Sequence, residues 1–332
     1  MSQQHHTDAS GASQSAEAAE KPSIIDNFLT PRVFEVQMEH GRTVRAYEVG
    51  PPDGPLVVAI HGAPSTGLSH VTNYVANGAL FCRLVTFDRQ GYGGSTPQPG
   101  RKVCDIVPIV EAILDHLSVD TAAVYGHSAG GMHALATAAL LPKRISRLLC
   151  SGANAPDFVS GASEHLDKLS PLVRQEILEA RKGPEGSRAF YRRWYPHFRD
   201  PEIEKQFLTE NDRRVARLHA PFRDKIAQQL ALPEPLYSEE DAYVDDMQSW
   251  LAPWGFDVDS VTVPTRIVYG LEDLWVTRRD VEWMHAQIPN STLDLIPHFG
   301  HNLSQLIPHI FAWLVQEELQ SRPATPHFRP GA

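Results

Sequence analysis

Short apolar runs recur along the chain, and segments with helical periodicity separate most of them. Each run has the length and continuity of a strand that is buried on both faces of a sheet. Val107, Val110, Ile113 and Leu117 give one intervening segment a single apolar face, as in a helix packed on a sheet. Alternating strands and helices predict a mostly parallel, doubly wound α/β fold. The predicted core strands are Leu56–Ile60, Arg83–Phe87, Ala122–Tyr125, Ile145–Cys150, Thr265–Tyr269 and Thr292–Ile296.

Two earlier segments predict an antiparallel hairpin at the start of the fold. Arg32 to Met38 and Thr43 to Val49 mix β-branched residues with alternating polarity, and His40-Gly41 provides a turn between them. Together with the six core strands, the hairpin predicts an eight-stranded sheet flanked by helices.

The strand and helix alternation stops between residues 156 and 251, where Arg, Glu, Gln and aromatic residues dominate. This change predicts a helical cap inserted into a core made of residues 23–155 and 252–321, with tails at 1–22 and 322–332. Ser170-Pro171 predicts a capped helix start, and Gly183 predicts the end of that helix after Lys182. Further helices are predicted at Ser187–Tyr195, Pro201–Thr209, Pro221–Leu230 and Glu239–Leu251.

Composition narrows the possible partners. The 332 residues carry a formal net charge of -10, which disfavours a nucleic-acid or anionic membrane surface. No apolar run approaches the roughly 18 to 20 residues of a membrane span, so we expect a cytoplasmic protein. The three scattered cysteines predict neither disulfides nor a zinc site. We therefore expect a small-molecule substrate and no cofactor or metal, while the sequence does not indicate an oligomeric state.

The pentapeptide Gly126-His127-Ser128-Ala129-Gly130 is the strongest chemical signal. It lies between the apolar run ending at Tyr125 and a run of small residues, where a strand would turn sharply into a helix. Such a turn needs glycines on either side of the serine, exposes the Ser128 hydroxyl and aims the Ala129 amide at a developing oxyanion. The pattern predicts a nucleophile elbow.

A serine nucleophile needs a base, and His301 is the preferred candidate. It follows the last predicted strand, and Gly300 permits the sharp turn before it; His298 is the rival in the same loop. Asp273 is preferred as the acid that orients the imidazole, with its neighbour Glu272 and the more distant Asp157 as alternatives.

The second oxyanion donor is expected in His61-Gly62-Ala63-Pro64, which follows a core strand. The Ala63 amide is preferred over that of Gly62, and His61 is expected to form hydrogen bonds within the loop. We also predict substrate contacts for His61, Gly62, His127, Trp194 and Trp275. The glycine-rich segment Asp88 to Ser95 matches neither a dinucleotide fingerprint nor a P-loop, and a tight structural turn is the better interpretation.

Five motifs in this order resemble the α/β-hydrolase superfamily over roughly Arg32 to Gln320. They are His-Gly-x-Pro at His61, Asp-x-x-Gly-x-Gly-x-Ser at Asp88, Gly-x-Ser-x-Gly at Gly126, Gly-x-x-Asp at Gly270 and Gly-His at Gly300. The resemblance implies a catalytic triad of Ser128, Asp273 and His301, with the Ala63 and Ala129 amides as the oxyanion hole.

The same resemblance leaves the substrate open. Dehalogenases and epoxide hydrolases of the superfamily use an aspartate nucleophile, where this chain has Ser128. Serine members include esterases, lactonases, C–C hydrolases, prolyl aminopeptidases, amidases and perhydrolases, and some relatives are hormone receptors with little turnover. The aromatic residues of the cap favour an ester of a small, largely apolar substrate, hydrolysed through an acyl-serine intermediate.

Overall fold

The computed structural model describes residues 30–321 apart from Leu80, 161–165, Glu234 and Leu236. The two predicted tails, at 1–22 and 322–332, lie outside the described residues.

The described strands form a single eight-stranded sheet, which confirms the predicted fold. The two strand pairings at one edge are antiparallel, and the other five pairings are parallel. The strands are β1 Arg32–Gln37, β2 Thr43–Val49, β3 Leu56–Ile60, β4 Arg83–Phe87, β5 Ala122–His127, β6 Ile145–Ser151, β7 Thr265–Gly270 and β8 Ser291–Ile296. Their spatial order is β1-β2-β4-β3-β5-β6-β7-β8. The carboxyl ends of the parallel strands therefore share one edge, and β5 lies in the middle of the sheet.

The strand β3 is apolar throughout because both of its faces are buried. Val58 and Ile60 pack into the hydrophobic cluster on one face, whereas Val57 and Ala59 pack into the cluster on the other. Successive side chains of a strand point to opposite faces, so a strand covered on both sides must be apolar throughout.

Helices cover both faces and fill the segment between β6 and β7. They are α1 Leu68–Asn77, α2 Val107–His116, α3 Ala129–Leu140, α4 Asp157–Ser160, α5 Pro171–Ala180, α6 Pro184–Trp194, α7 Pro201–Glu204, α8 Glu210–Leu230, α9 Glu239–Leu251, α10 Arg278–Gln287, α11 Ile307–Leu314 and α12 Gln316–Ser321. Among the helices described, none is long and apolar enough to cross a lipid bilayer. We refer to α4–α9 as the cap helices.

The cap helices match the sequence patterns at two places and depart from them at several others. α5 ends at Ala180 instead of Lys182, α6 begins at Pro184 instead of Ser187, and α7 ends at Glu204 instead of Thr209. The Ser170 hydroxyl accepts a hydrogen bond from Val173 N at 3.2 Å and caps α5 as predicted, and α9 has its predicted bounds. The predicted helix start at Pro221 is wrong, because this proline lies inside α8. A capping box of Thr209 and Asp212 starts that helix earlier in the chain.

Candidate active site

Ser128 occupies a strained turn between β5 and α3. Its backbone has φ 56° and ψ -131°, a conformation that costs a non-glycine residue about 1–3 kcal/mol. Two hydrogen bonds hold it there: Ser128 N donates to Ser151 O at 2.9 Å, and Gly131 N donates to Ser128 O at 2.8 Å. The turn places Ser128 at the carboxyl end of β5.

Close backbone packing explains the glycines of this turn. A Cβ on Gly126 would collide with Gly130 O, and a Cβ on Gly130 would collide with Ile60 O at the end of β3. The two glycines therefore let the first turn of α3 lie directly against two strands, as the sequence pattern predicts.

His301 and Asp273 meet at the same edge of the sheet. The imidazole Nδ1 lies 2.8 Å from Asp273 Oδ2, and the Asp273 side chain is fully buried. Its other oxygen, Oδ1, accepts hydrogen bonds from Trp275 N at 2.8 Å and Val276 N at 3.1 Å. The carboxylate is thus fixed, and it holds the proton of His301 on Nδ1 so that Nε2 can act as a base.

The rival candidates have other partners: Asp157 forms an ion pair with Arg181 at 2.9 Å, and the two others pair with each other. His298 Nδ1 lies 3.5 Å from Glu272 Oε1, and the His298 side chain is 91% exposed. The structure therefore separates the buried pair of His301 and Asp273 from the solvent-exposed pair of His298 and Glu272. Only His301 of the two histidines lines a cavity with Ser128.

A cap residue also contacts the loop that carries His301. Asp212 in α8 is buried; its Oδ1 accepts a hydrogen bond from Asn302 N at 2.8 Å, and its Oδ2 accepts one from Thr209 Oγ1 at 2.9 Å. Burial by itself would lower the pKa of His301, but the carboxylates of Asp273 and Asp212 outweigh it and raise this pKa above its ordinary value. The cap thereby contributes to the charge balance of the base.

Two cavities meet at Ser128, and both are also lined by Ala63 and Trp275. The larger has a volume of about 270 Å³ and is lined by His127 and His301. The smaller has a volume of about 70 Å³ and lies under α5 and α9. A separate groove of about 800 Å³ near Phe256 does not include Ser128, so its size does not make it the reaction site.

The two residues whose amides are predicted as oxyanion donors lie beside Ser128. Ala63 and Ala129 both line the smaller cavity beside Ser128. Within the described chain, neither amide donates a hydrogen bond to a protein acceptor, so each is available to a ligand. Ala129 N is also at the N-terminus of α3, where the helix dipole favours negative charge.

The loop that carries Ala63 rests on the guanidinium of Arg89, which is fully buried. Arg89 Nε donates to His61 O at 3.0 Å, and Nη2 donates to Gly62 O at 3.0 Å. The same guanidinium donates to both carboxylate oxygens of Asp246 in α9, at 2.7 and 2.6 Å, and to His133 Nε2 at 3.1 Å. All five N–H donors of Arg89 are therefore used, and they connect the loop after β3 to the cap.

Asp246 is shared by further buried donors. Arg101 Nη2 donates to Asp246 Oδ1 at 2.6 Å, and the Tyr92 hydroxyl donates to Asp246 Oδ2 at 2.8 Å. Burial opposes the charge of this carboxylate, but Arg89 and Arg101 hold its pKa well below the ordinary value. Burial and the charge of Arg89 lower the pKa of His133 to about 3, so its imidazole is neutral and can accept from Arg89.

A family model described as the alpha/beta hydrolase fold matches residues 55–304. The chain belongs to this family. The match spans the loop after β3, the turn at Ser128 and the loop of His301, which are the elements that build the site.

Individual alpha/beta hydrolases resemble the chain at low identity. A probable proline iminopeptidase from Leptolyngbya boryana is 23% identical over 295 residues, covering 79% of this chain and 86% of the relative. Two solved structures are each 21% identical. An alpha/beta hydrolase fold protein from Nakamurella multipartita has a TM-score of 0.60, and the match covers 86% of this chain and all of the other. A thermophilic esterase from Thermogutta terrifontis has a TM-score of 0.59, and the match covers 87% of this chain and 98% of the other. At these identities the solved structures support the fold alone.

Against this alpha/beta hydrolase framework, the predicted substrate contacts fall into two groups. Gly62, His127 and Trp275 line the larger cavity with Ser128. His61 and Trp194 are not among the described residues that line either cavity. The imidazole of His61 is buried, with Nδ1 2.7 Å from Gly62 O and Nε2 accepting from Arg89 N at 3.0 Å. His61 therefore shapes its own loop instead of contacting a ligand.

Sequence patterns missed three charged residues of the site. Arg89 lies in the segment interpreted as a tight turn, and Asp246 and Glu176 lie in the cap helices. The turn interpretation holds for Asp88, which accepts hydrogen bonds from Gly67 N, Gly94 N and the Tyr47 hydroxyl. The one available signal for Arg89 was its place two residues after the core strand β4, where side chains reach the functional edge of the sheet.

Proposed function

We propose that this alpha/beta hydrolase cleaves carboxylic esters of small, largely apolar substrates through an acyl-Ser128 intermediate. The single observation that carries the proposal is the buried hydrogen bond between His301 and Asp273 at the edge of a cavity that Ser128 shares. A base held in one tautomer beside a strained serine is the arrangement that nucleophilic acyl transfer needs.

The reaction would proceed in two halves. Ser128 Oγ forms a bond to the ester carbonyl carbon and gives its proton to His301 Nε2, while the amides of Ala63 and Ala129 stabilise the oxyanion. The ester C–O bond then breaks, and the leaving oxygen takes the proton from His301. Water next gives a proton to His301 and attacks the acyl carbon, and Ser128 recovers that proton as the carboxylic acid leaves.

The two cavities suggest where the halves of the ester would lie. His301 lines the larger cavity, and the leaving oxygen must accept its proton from His301, so the alcohol side belongs there. Ala129 lines the smaller cavity, which leaves that space for the acyl group. A volume of about 70 Å³ suits a short acyl chain.

Hydrolysis of p-nitrophenyl acetate, butyrate and octanoate by the wild-type protein and by Ser128→Ala tests this function. We expect turnover of the short esters, a p-nitrophenol burst that matches the enzyme concentration when deacylation is slow, and loss of both in Ser128→Ala. Equal rates for the two proteins would contradict the proposal.

A further inference from the structure

The smaller cavity contains a carboxyl group that the proposed acyl transfer does not use. Glu176 of α5 lines this cavity together with Ser128, Ala63 and Ala129, and only 7% of the residue is exposed. The Tyr243 hydroxyl donates to Glu176 Oε1 at 2.7 Å. Burial raises the pKa of Glu176 to about 7, although the hydrogen bond from Tyr243 opposes this shift. An acid is therefore kept buried next to the reacting serine.

No described basic side chain neutralises Glu176. Among the described ion pairs, the nearby cations Arg89 and Arg101 bind Asp246, and none joins Glu176. Its second oxygen, Oε2, accepts no hydrogen bond from a described residue. A buried carboxylate without a cationic partner carries a substantial desolvation cost, which a positively charged ligand would offset.

The rest of the cavity wall suits a cation with a short apolar chain. Tyr243, Trp250 and Trp275 supply aromatic rings, and Met132 and Met247 supply polarisable side chains. Aromatic faces attract ammonium groups, most strongly where water is excluded. Asp246 is the other charged residue of this wall, and its charge is already matched by Arg89 and Arg101. The uncompensated charge facing the cavity is therefore that of Glu176.

We propose that Glu176 is a specificity residue that binds a protonated amine on the acyl group of the substrate, so that the preferred substrates are short aminoacyl esters. This inference rests on the proposed function, because the acyl group must occupy the smaller cavity for its amine to meet Glu176. An anionic acyl group would be repelled, and a purely hydrocarbon one would leave the carboxylate unpaired.

Matched esters separate the charge from the shape of the acyl group. Alanine and isobutyric acid benzyl esters differ by an ammonium in place of a methyl group, as do those of β-alanine and butyric acid. We expect wild-type kcat/KM to favour the amine in at least one pair by about tenfold or more. Glu176→Gln should remove this preference, mainly through a higher KM for the amine ester. Glu179 lies in the same helix but pairs with Lys182, so Glu179→Gln is the matched control and should retain the preference for the amine ester.

Tyr243→Phe gives a second readout that a merely structural role would not produce. Loss of the donated hydrogen bond raises the pKa of Glu176 further, so more of the carboxyl is protonated at neutral pH. The preference for the β-alanine ester should therefore fall near pH 7 and recover as the pH rises. The β-alanine pair is used because an α-amine, with a pKa of about 8, would itself lose its charge over this range. A pH-independent loss for both esters of a pair would contradict the assignment.

Calorimetric binding of β-alaninamide, alaninamide and their neutral isosteres keeps this test independent of turnover. We expect at least one amine ligand to bind the wild type more tightly than its isostere, and this difference to disappear in Glu176→Gln. Turnover of neutral esters without any amine preference would overturn the amine site and leave the hydrolase intact. Amine binding that depends on Glu176 without any Ser128-dependent turnover would contradict the proposed function instead.

Discussion

Arg89 and Asp246 form a bidentate ion pair that is buried between the sheet edge and the last cap helix. The two N···O distances are 2.7 and 2.6 Å, and the side chains are 0% and 2% exposed. Because the same guanidinium also binds the carbonyl oxygens of His61 and Gly62, this pair connects the cap to the loop that carries the Ala63 amide. The Arg89 guanidinium therefore binds both the cap and the loop of the candidate oxyanion hole.

Removing the charge of Asp246 should destabilise the protein strongly. Asp246→Asn leaves Arg89 buried without its carboxylate partner and leaves Arg101 only its ion pair with Asp245. Breaking a buried pair in this way typically costs about 3–5 kcal/mol of unfolding free energy. The measurement is urea unfolding. Glu202→Gln is the control, because it breaks a solvent-exposed pair with Lys205 and should cost at most about 1 kcal/mol. Equal midpoints for the two variants would contradict this account.

Replacing Arg89 with lysine tests its positioning role. Arg89→Lys keeps the positive charge but loses the planar fork that reaches His61 O, Gly62 O and Asp246 together. Because small displacements at a reaction centre can cost about a hundredfold, we expect kcat to fall about tenfold to a hundredfold with little change in KM. Steady-state kinetics on a short ester measure this. An unchanged kcat in a less stable protein would reduce Arg89 to a structural residue.

The two histidine and acid pairs predict opposite outcomes. His301→Ala and Asp273→Asn should each lower kcat/KM by about a thousandfold or more, because they remove the base or the group that orients it. His298→Ala and Glu272→Gln alter the solvent-exposed pair and should leave most of the activity. A large loss in His298→Ala with a small one in His301→Ala would move the base to His298.

The pH profile should depend on a cap residue. His301 must be neutral to accept the proton of Ser128, and its pKa is raised, so the acidic limb of kcat/KM should lie above the ordinary histidine value of about 6.5. Asp212→Asn removes one of the carboxylates that raise this pKa, so the limb should move to lower pH.

Asp200→Asn is the matched control for that shift. Asp200 also caps a cap helix, accepting from Glu202 N at 2.8 Å, but it does not contribute to the pKa of His301. The same displacement in both variants, or a displacement of the Asp212→Asn profile towards higher pH, would contradict the coupling.

Local patterns predicted the strands and the chemical motifs because each is encoded over a few residues. The apolar run of β3 follows from burial on both faces, and the turn at Ser128 follows from its two glycines. The order Ser128, Asp273, His301 could be predicted because parallel strands end at one edge of the sheet. The strand and the turn are thus determined by neighbours in the sequence, and the meeting of the three residues is determined by the parallel topology.

The charged residues under the cap could not be predicted in the same way. Asp246 lies in an acidic helix with Glu239, Glu240, Asp241 and Asp245, and only tertiary packing selects it for burial. Glu176 likewise resembles Glu179 in sequence, although one lines a cavity and the other pairs with Lys182. Pro221 was misread as a helix start because tertiary packing and the capping box at Thr209 override its local preference.

Covalent labelling of Ser128 by a fluorophosphonate, mapped by peptide mass spectrometry, tests the central claim most directly. We expect one label on Ser128 in the wild type, none on this peptide in Ser128→Ala, and much slower labelling in His301→Ala. An unlabelled Ser128, or a label on another residue that persists in Ser128→Ala together with wild-type ester turnover, would contradict the account.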